Sequence, residues 1–414
     1  MGRDTRRSGP MLGAALASGL CSGGVDVDDL GVAPTPTVSF AARTGDFSLG
    51  VIISASHNPA PDNGIKFVGH NGRKLPDDVE LRIEQLMEDG PELPTGAGVG
   101  LITQDRSPID AYLDFLVAVV PERLDGMKVA VDGAHGAAYE LGPEVLRRLG
   151  AEVHAIGIDP DGMNINAEGG ATKPESIGRY TTGQGCHVGA AFDGDADRAV
   201  FCDEAGKLIN GDRTMGLWAA HRKREGDLDP SVVVGTVMSN GGFERFLVDQ
   251  GITLERTPVG DKYVAQRIQQ TGALIGGEQS GHIIFPHRGP TGDGLVTTLE
   301  FLRVLKLEGR PASSYSAEYE PWPQLLVNVS VAEMDGWKDK EGVAVALQIG
   351  EQRLGSDGRV VVRPSGTQPM IRVMVEAKDE RTRDEVAAAI VAAMEEELGG
   401  KIYSRVDLTH ALGD

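Results

Sequence analysis

Short runs rich in valine and isoleucine alternate along this chain with stretches of helical periodicity, and this alternation limits the possible folds more than any other feature. Strands of this kind are predicted at residues 128–131, 188–192, 232–237, 325–331 and 360–362. Strands separated by helices are typical of βα units stacked on parallel or mixed sheets. We therefore expect an α/β protein.

Breaks in the pattern divide the chain into four blocks. At 414 residues the chain is too long for one core, because single cores stop growing at roughly 250 to 300 residues. The predicted domains are residues 1–121, 122–225, 226–322 and 323–414. The second and third blocks each have the predicted order strand, helix, strand, which suggests that the two domains are structurally related. The last block holds a helix near Glu380–Leu398, and we expect no regular structure after it, in residues 399–414.

The charge of the chain excludes some partners. A formal net charge of −21 argues against binding to nucleic acid or to acidic membranes, which need clustered lysine and arginine. No run approaches the roughly 18 apolar residues of a membrane span. Cys21, Cys186 and Cys202 are widely spaced and form no C-x-x-C pair, so they predict neither a disulfide framework nor a zinc site. These features favour a cytoplasmic protein.

The first residues resemble an export signal in part, since arginines precede a mild apolar run that ends at Cys21. Leu20, however, stands where a lipoprotein signal needs a small residue. Leu12, Ala15 and Leu20 suit an amphipathic helix equally well, and we expect such a helix here.

Ser56 follows an apolar strand and precedes a proline stop at Pro59. Chemistry on open α/β sheets takes place at strand ends. An ordinary serine-rich turn is the alternative. A hydrolase elbow is disfavoured, because G-x-S-x-G is absent and the adjacent His57 is not expected to reach Ser56. The Asn63-Gly64 turn predicts a second strand with Lys66 near its start, where it is either a cation and proton donor or a solvated lysine.

Asp193, Asp195 and Asp197 stand at alternate positions after the strand 188–192. Three adjacent carboxylates repel one another unless they share a cation, and oxygen ligands select hard ions such as Mg²⁺. A calcium EF-hand loop is disfavoured, because Arg198 stands where that loop needs glycine and strands flank the segment. Arg198 can hold a phosphoryl oxygen.

Two further loops carry ligand-binding side chains. The loop at residues 276–282 places Glu278 and Ser280 for sugar hydroxyls or an amine, and His282 for acid/base or phosphate contact. The other loop has the elements of a phosphate cradle, which are hydroxyls, a glycine amide and two guanidiniums. Its candidate residues are Arg363, Ser365, Gly366, Thr367 and Arg372. Glycine-rich turns without a ligand are the alternative for both.

In this order the motifs resemble those of the α-D-phosphohexomutase superfamily, and within it the bacterial phosphoglucosamine mutases. The resemblance rests on the Gly-Arg-Asp-Thr-Arg start, the Ser56, Asp193 and Arg363 loops, residues 259–264 and the Glu-Gln-Ser-Gly-His form of the sugar loop. Phosphomannomutase/phosphoglucomutases usually carry methionine after that glutamate.

The resemblance implies four domains, three related α/β domains with mixed sheets and a C-terminal α+β domain. It implies a phosphorylated Ser56, one Mg²⁺ held by that phosphate and by the three aspartates, and proton transfer by Lys66 and His282. The implied reaction converts glucosamine 6-phosphate to glucosamine 1-phosphate through a sugar 1,6-bisphosphate, in UDP-N-acetylglucosamine and peptidoglycan precursor synthesis. A homodimer is one option for the oligomeric state.

The chain departs from the family pattern at three places, one of which is a tail after Leu398 that is longer than expected. It starts within a predicted strand, after the family's first strand and its Gly-Thr-Asp-Gly-Ile-Arg-Gly loop, so an exposed sheet edge and impaired activity are expected. Gln368 replaces the family's usual glutamate in the phosphate loop. The alternatives are a phosphomannomutase/phosphoglucomutase, or a catalytically impaired phosphosugar-binding fragment.

Overall fold

The structure, a computed structural model, describes residues 1–90, 93–331, 334, 336–365 and 369–410. It divides into two compact units. Unit 1 comprises Met1–Thr236 and Leu254–Ala317, and unit 2 comprises Val237–Thr253 and Glu318–Asp414. Within the described residues no helix is both long and apolar enough to span a membrane.

The first part of unit 1 is built around a small sheet with the strand order β1-β3-β4. Its elements are β1 (Gly2–Arg3), α1 (Gly9–Ser22), β2 (Val27–Asp29), α2 (Thr35–Thr44), β3 (Leu49–Ile53), β4 (Ile65–Gly69), α3 (Asp77–Asp89), β5 (Ile102–Gln104) and α4 (Ser107–Val119). Strand β3 pairs parallel with β1 and antiparallel with β4, while β2 and β5 form a separate parallel pair. The turn between β3 and β4 contains Ser56.

Helix α1 buries a stripe of small residues, and this differs from the predicted face. Gly13, Ala17 and Cys21 are buried, whereas Ala15 is exposed and Leu12 and Leu20 are only half-buried. A Cβ on Gly13 would lie 3.5 Å from Ile53, so the helix packs closely on β3. The prediction of a helix is confirmed, but the face defined by the larger residues was wrong because close packing favours the small ones.

The second part of unit 1 holds a mixed sheet with the order β10-β9-β8-β6-β7. Its elements are β6 (Lys128–Asp132), α5 (Leu141–Arg148), β7 (Glu152–Ile156), α6 (Glu175–Gln184), β8 (Val188–Phe192), β9 (Ala199–Asp203), β10 (Leu208–Ile209) and α7 (Gly211–Arg224). Strands β6, β7 and β8 run parallel, and β9 turns back against β8. Every residue of β8 and β9 is buried, which explains why both strands are apolar up to Asp203 at the end of β9.

The third part of unit 1 has a four-stranded sheet with the order β12-β11-β13-β14. After β11 (Val232–Thr236) the chain enters unit 2 for α8 (Gly241–Asp249), and it returns with β12 (Thr253–Thr257). The remaining elements are α9 (Asp261–Thr271), β13 (Gly276–Gly277), β14 (Ile283–Ile284), α10 (Gly294–Glu308) and α11 (Ala312–Ser316). Phe301 of α10 stacks on Phe201 of β9 with ring centroids 4.2 Å apart.

Unit 2 is an antiparallel sheet covered by two helices. Its further elements are β15 (Gln324–Ser330), α12 (Glu341–Leu354), β16 (Gly358–Pro364), β17 (Met370–Ala377), α13 (Glu380–Leu398) and β18 (Lys401–Asp407). The strand order is β16-β17-β15-β18. Residues such as Val329, Val373 and Val375 of the sheet form one core with Val343 of α12 and Ile390 of α13.

The expectation of an irregular C-terminal segment was wrong. Residues Lys401–Asp407 form β18, which pairs with β15 along the edge of the sheet. Six of the seven residues of β18 are exposed, so the strand has little apolar patterning for a sequence reading to detect. Its register comes from backbone hydrogen bonds. The predicted α/β class with mixed sheets and a C-terminal α+β domain is confirmed.

Candidate active site

Ser56 lies in the turn after β3, with its hydroxyl directed at the loop that follows β8. Its Oγ donates a hydrogen bond of 2.7 Å to Asp193 Oδ2. The residue is buried and has a left-handed backbone with φ of 49°, a conformation that is uncommon for serine. His57 was not expected to reach Ser56, but its Nδ1 lies 3.4 Å from Ser56 Oγ, at the limit of a hydrogen bond. Ser56 is therefore held in a specific orientation.

The three predicted carboxylates lie together at the β8–β9 turn. Asp193, Asp195 and Asp197 each offer an oxygen, and these oxygens lie within 4.8 Å of one another. Gly194 allows this turn to approach the Ser56 loop, because a Cβ at that position would lie 2.5 Å from the Ser56 carbonyl oxygen. The aspartates and Ser56 consequently form one cluster within unit 1.

The donor set of this cluster fits a hard divalent cation. Oδ1 of Asp195 and Oδ1 of Asp197 are buried, and neither has a hydrogen-bond partner among the described residues. A buried carboxylate oxygen without a partner costs free energy. Magnesium prefers oxygen ligands of this kind. The cluster could thus hold one Mg²⁺.

The buried carboxylates differ in their pKa values because their partners differ. Burial raises the pKa of Asp193 well above its usual value, and repulsion from Asp197 and Asp195 adds to this. Burial also acts to raise the pKa of Asp195, but the Lys66 ammonium and the Thr35 hydroxyl outweigh it and lower that pKa to about 2. A bound cation would favour the ionised form of all three carboxylates.

Lys66 and Thr35 both reach Asp195. Lys66 Nζ lies 3.0 Å from Asp195 Oδ2, and Thr35 Oγ1 donates to the same oxygen at 2.7 Å. Burial acts to lower the pKa of Lys66, but attraction by Asp195 and Asp197 raises it overall. Lys66 is therefore held in its protonated, cationic form. Arg198 contributes its backbone N–H, which donates to Asp193 Oδ1 at 3.2 Å.

The loop with Glu278 and His282 lies beside the carboxylates. The Ala199 backbone N–H donates to the Gly281 carbonyl at 3.1 Å, and Glu278 Oε1 accepts from the Gly260 N–H at 2.9 Å. His282 is buried, with its Nε2 4.0 Å from Asp197 Oδ2 and 3.9 Å from Asp261 Oδ2.

Gly292 leaves room for the His282 ring, because a Cβ at that position would lie 2.2 Å from His282 Nε2. Ser280, from the same loop, is buried. The structure therefore brings the loop at residues 276–282 next to the loop that carries the three aspartates.

In unit 2, the two predicted arginines of the phosphate loop lie opposite each other on β16 and β17. Arg363 pairs in register with Arg372, which in turn pairs with Asn328 of β15. Ser365 is buried, and its N–H donates to the Met370 carbonyl at 2.8 Å. Gly366 and Thr367, together with Gln368, lie outside the described residues. Two like charges side by side on a sheet favour an anion between them.

Three residues that contact this site were not predicted from the sequence. Thr35 binds Asp195, while Arg6 and Asn166 both donate to the Ser56 carbonyl. Arg6 lies in the motif that carries the family resemblance, so a signal for it was present. Thr35 and Asn166 stand in segments without a recognisable chemical pattern, and their roles arise only from tertiary contacts.

Four family models match the chain in order. They are described as phosphoglucomutase/phosphomannomutase alpha/beta/alpha domain I at residues 1–93, domain II at 110–206, domain III at 210–322 and the C-terminal domain at 326–393.

Curated relatives are similar over nearly the whole chain. A phosphoglucosamine mutase of Symbiobacterium thermophilum is 46% identical, covering 96% of this chain and 90% of the relative. A phosphoglucosamine mutase of Desulforudis audaxviator is 45% identical, covering 96% and 89%.

Solved structures share the fold. A phosphoglucomutase/phosphomannomutase family protein from Burkholderia thailandensis superposes with a TM-score of 0.80 and 25% identity, covering 97% of this chain and 90% of that one. An Aspergillus fumigatus N-acetylphosphoglucosamine mutase, solved with GlcNAc-6P and magnesium, has a TM-score of 0.65 and 19% identity, covering 92% and 93%.

Proposed function

Because this chain belongs to the phosphoglucosamine mutases of the phosphoglucomutase/phosphomannomutase family, we propose that it interconverts glucosamine 6-phosphate and glucosamine 1-phosphate through a phosphoserine at Ser56. The proposed enzyme is an isomerase that moves a phosphoryl group between two positions of one sugar. The observation that carries the proposal is the Ser56 hydroxyl, 2.7 Å from Asp193 in a cluster of three carboxylates.

Asp193, Asp195 and Asp197 would hold Mg²⁺ together with a phosphoryl oxygen on Ser56. When bound, the ion neutralises charge on the transferring phosphoryl group. Arg198, next to the carboxylates, would add a guanidinium to the same group. Positioning of the reacting groups by these residues supplies much of the rate acceleration, since catalysis of phosphoryl transfer depends mainly on positioning and electrostatic stabilisation.

The proposed reaction has two balanced transfers. A sugar hydroxyl oxygen attacks the phosphorus on Ser56, so a bond from phosphorus to the sugar oxygen forms and the bond to Ser56 Oγ breaks. His282 would accept the hydroxyl proton, and protonated Lys66 would stabilise or protonate the leaving Oγ. The resulting sugar 1,6-bisphosphate then returns its other phosphoryl group to Ser56, which regenerates the enzyme.

The remaining candidate residues would bind the parts of the substrate that do not react. Glu278 and Ser280 can accept hydrogen bonds from the ammonium or hydroxyl groups of the sugar. Arg363, Ser365 and Arg372, with Gly366 and Thr367, would bind the phosphate that is not being transferred.

The proposal includes a cytoplasmic location and a role in UDP-N-acetylglucosamine and peptidoglycan precursor synthesis. Three buried free cysteines are in keeping with a reducing compartment. A homodimer stays a prediction, and light scattering on the purified chain would test it.

A coupled assay tests the proposed function. The purified chain, with Mg²⁺ and a trace of glucosamine 1,6-bisphosphate, would be given glucosamine 6-phosphate, glucose 6-phosphate or mannose 6-phosphate. Ser56→Ala is the test variant, and Ser48→Ala, at an exposed serine in the same region, is the matched control. Intact mass would report one phosphoryl group on the wild-type chain and none on Ser56→Ala.

Turnover of the amino sugar at least tenfold above the neutral sugars, lost only in Ser56→Ala, is the expected result. Preference for glucose or mannose phosphate would instead assign the chain to phosphomannomutase/phosphoglucomutase activity. Binding of phosphosugar without turnover would identify a catalytically impaired phosphosugar-binding protein, and release of inorganic phosphate would indicate a phosphatase.

A further inference from the structure

Arg6 uses every N–H donor of its guanidinium on partners around the Ser56 loop. Its Nε donates to Asp4 Oδ2 at 2.8 Å. Its Nη1 donates to the carbonyls of Pro59 and Asp62, and its Nη2 donates to the carbonyls of Ser56 at 2.9 Å and Asn58 at 2.8 Å. A guanidinium has five such donors in a rigid fork. Four of the five donors therefore bind carbonyls of residues 56–62, and the fifth binds Asp4.

Asn166 holds two of the same carbonyls from another part of unit 1. Its Nδ2 donates to the Ser56 carbonyl at 2.8 Å and to the Asn58 carbonyl at 3.1 Å. Asn166 is buried and has a left-handed backbone with φ of 58°. Arg6 lies in the region matched by the family's domain I and Asn166 in that matched by domain II. The Ser56 and Asn58 carbonyls are therefore clamped by two parts of the chain that are distant in sequence.

The clamp explains how Ser56 keeps its backbone conformation. Carbonyl oxygens that converge on one point repel one another, and the Arg6 cation offsets this repulsion. On the other side of the peptide, the Ser56 N–H donates to Ser54 Oγ at 2.9 Å, and Ser54 donates to Asp4 at 2.6 Å. With its N–H and its carbonyl both held, Ser56 has a fixed Cα–Cβ direction, and the hydrogen bond from Oγ to Asp193 selects the rotamer that points at the carboxylate cluster.

We propose that Arg6 and Asn166 are positioning residues for phosphoryl transfer, because their clamp on the Ser56 and Asn58 carbonyls fixes the backbone from which the Ser56 side chain projects toward Asp193. This inference rests on the proposed role of Ser56. Neither residue touches the reacting atoms in this arrangement, so each acts through the backbone of the loop. Misplacement of a reacting atom by about 1 Å is enough to cost about 100-fold in rate.

Asn166→Ala removes the clamping amide, and Asn166→Asp replaces it with a carboxylate of nearly the same volume. Asn164→Ala is the matched control, because Asn164 stands in the same segment but its Nδ2 donates to the Asp159 carbonyl. We expect kcat to fall at least about tenfold in Asn166→Ala and further in Asn166→Asp, which places a carboxylate against two carbonyls. The KM for the sugar phosphate should change less than about threefold, since the sugar and its second phosphate bind elsewhere.

Hydrogen exchange of residues 55–62 gives a second readout that does not need turnover. Exchange should accelerate in both Asn166 variants and stay at the wild-type rate in Asn164→Ala. An active wild type with unchanged kcat in Asn166→Ala, or an equal loss in Asn164→Ala, would overturn the proposal. If the wild type has no mutase activity but the variants show the expected exchange pattern, the proposed function is wrong and the clamp has only a structural role.

Arg6→Ala tests the other half of the clamp through chemical rescue. Added guanidinium at low millimolar concentration should restore part of kcat, whereas methylammonium, which lacks the planar fork, should not. If Arg6→Ala is folded, failure of guanidinium to rescue it would count against the role of Arg6. If Arg6→Ala does not fold, the kcat and hydrogen exchange of the Asn166 variants test the proposal instead.

Discussion

Thr35 and Thr37 stand two residues apart in α2, but only one of their hydroxyls reaches the site. Thr35 Oγ1 donates to Asp195 Oδ2 at 2.7 Å, and its N–H donates to the Asp195 carbonyl at 2.9 Å. Thr37 Oγ1 is buried without a hydrogen-bond partner in the part of the chain that the structure describes. Two buried threonines on one helix therefore give a matched test of what a single hydrogen bond to a carboxylate of the acidic cluster contributes.

We expect Thr35→Val to weaken Mg²⁺ activation about tenfold, because residues that orient metal-binding carboxylates typically have effects of that size. Thr37→Val should leave activation unchanged and not reduce stability, since it removes a hydroxyl that makes no bond. Initial rates titrated with Mg²⁺ at saturating sugar phosphate would measure both. Equal effects in the two variants would mean that packing of α2, rather than the hydrogen bond, controls Asp195.

Glu300 is a buried carboxylate in α10 that stabilises the fold at neutral pH. It accepts from Trp218 Nε1 at 3.0 Å and from Arg288 Nε at 2.8 Å. Burial acts to raise its pKa, but His287, Trp218 and Arg288 outweigh burial and lower the pKa to about 2. Because the native pKa lies below the unfolded value of about 4.5, this stabilisation is fully present above about pH 5 and is lost as the pH falls toward 2.

Glu300→Gln should therefore lower the free energy of unfolding by about 2–3 kcal/mol at pH 7, and the difference from wild type should shrink to about half at pH 3. Urea unfolding at several pH values would measure the trend. Glu80→Gln, at an exposed position of α3, is the control and should change the free energy by less than about 0.5 kcal/mol. A difference that does not depend on pH would show that the charge of Glu300 contributes nothing.

At the scale of residues, the sequence was informative where chemistry is concentrated in one segment. Asp193, Asp195 and Asp197 stand within five positions, so their convergence followed from strand geometry and charge repulsion. Arg6 and Asn166 are separated from Ser56 by 50 and 110 positions. Their contacts depend on how distant segments pack, and no local pattern encodes that packing.

At the scale of elements, the β16–β17 ladder places Arg363 directly beside Arg372. Arg372 Nε is buried and has no hydrogen-bond partner among the described residues. Like charges directly opposite on a sheet destabilise it. This pairing places two guanidinium side chains next to each other, an arrangement that suits binding of an anion.

Arg372→Gln should raise the KM for the sugar phosphate about 10- to 100-fold, as expected for loss of a charged hydrogen bond, with a smaller change in kcat. Without substrate, the same variant should be more stable by about 0.5 kcal/mol because the repulsion is removed. Kinetics and thermal unfolding would measure the two effects. Arg405→Gln, on the exposed edge strand β18, should change neither KM nor stability. A raised KM together with lower stability in Arg372→Gln would instead indicate that Arg372 has a structural role.

The elements themselves were predictable to different degrees. Strand β8 and helix α13 have the bounds that the apolar patterns predict, because both bury a regular set of side chains. Strand β18 was missed because its side chains are exposed and only its backbone is paired. The buried face of α1 was misassigned because glycine and alanine, rather than leucine, make the close contact. Pattern analysis detects buried apolar area and overlooks contacts made by the backbone or by small residues.

At the scale of the whole molecule, the proposed metal site in the acidic cluster would make stability depend on Mg²⁺. Three carboxylates lie within one buried region of unit 1. A ligand that binds only the native state stabilises it by about 2.7 kcal/mol at 100 times its Kd. Trp218 lies buried in unit 1, and the other two of the three tryptophans, Trp322 and Trp337, lie in unit 2.

In a Trp322→Phe, Trp337→Phe background, Trp218 fluorescence should report a melting temperature that rises by several degrees with Mg²⁺. Asp195→Asn should abolish most of this shift, whereas Asp46→Asn, at an exposed position, should retain it. Sodium at equal ionic strength controls for screening. A shift that survives in Asp195→Asn would place the stabilising ion elsewhere.

The path of the chain between the two units has a consequence for how the protein is made. Residues Val237–Thr253 leave the ribosome before Leu254–Ala317, yet they belong with Glu318–Asp414, whose edge strand β18 comes later still. Helix α8 therefore cannot pack against residues 318–414 until most of the remaining chain has been translated. Its buried Phe243 and Leu247 would be open to chaperones during this interval, and slowing translation after residue 253 would lengthen that exposure.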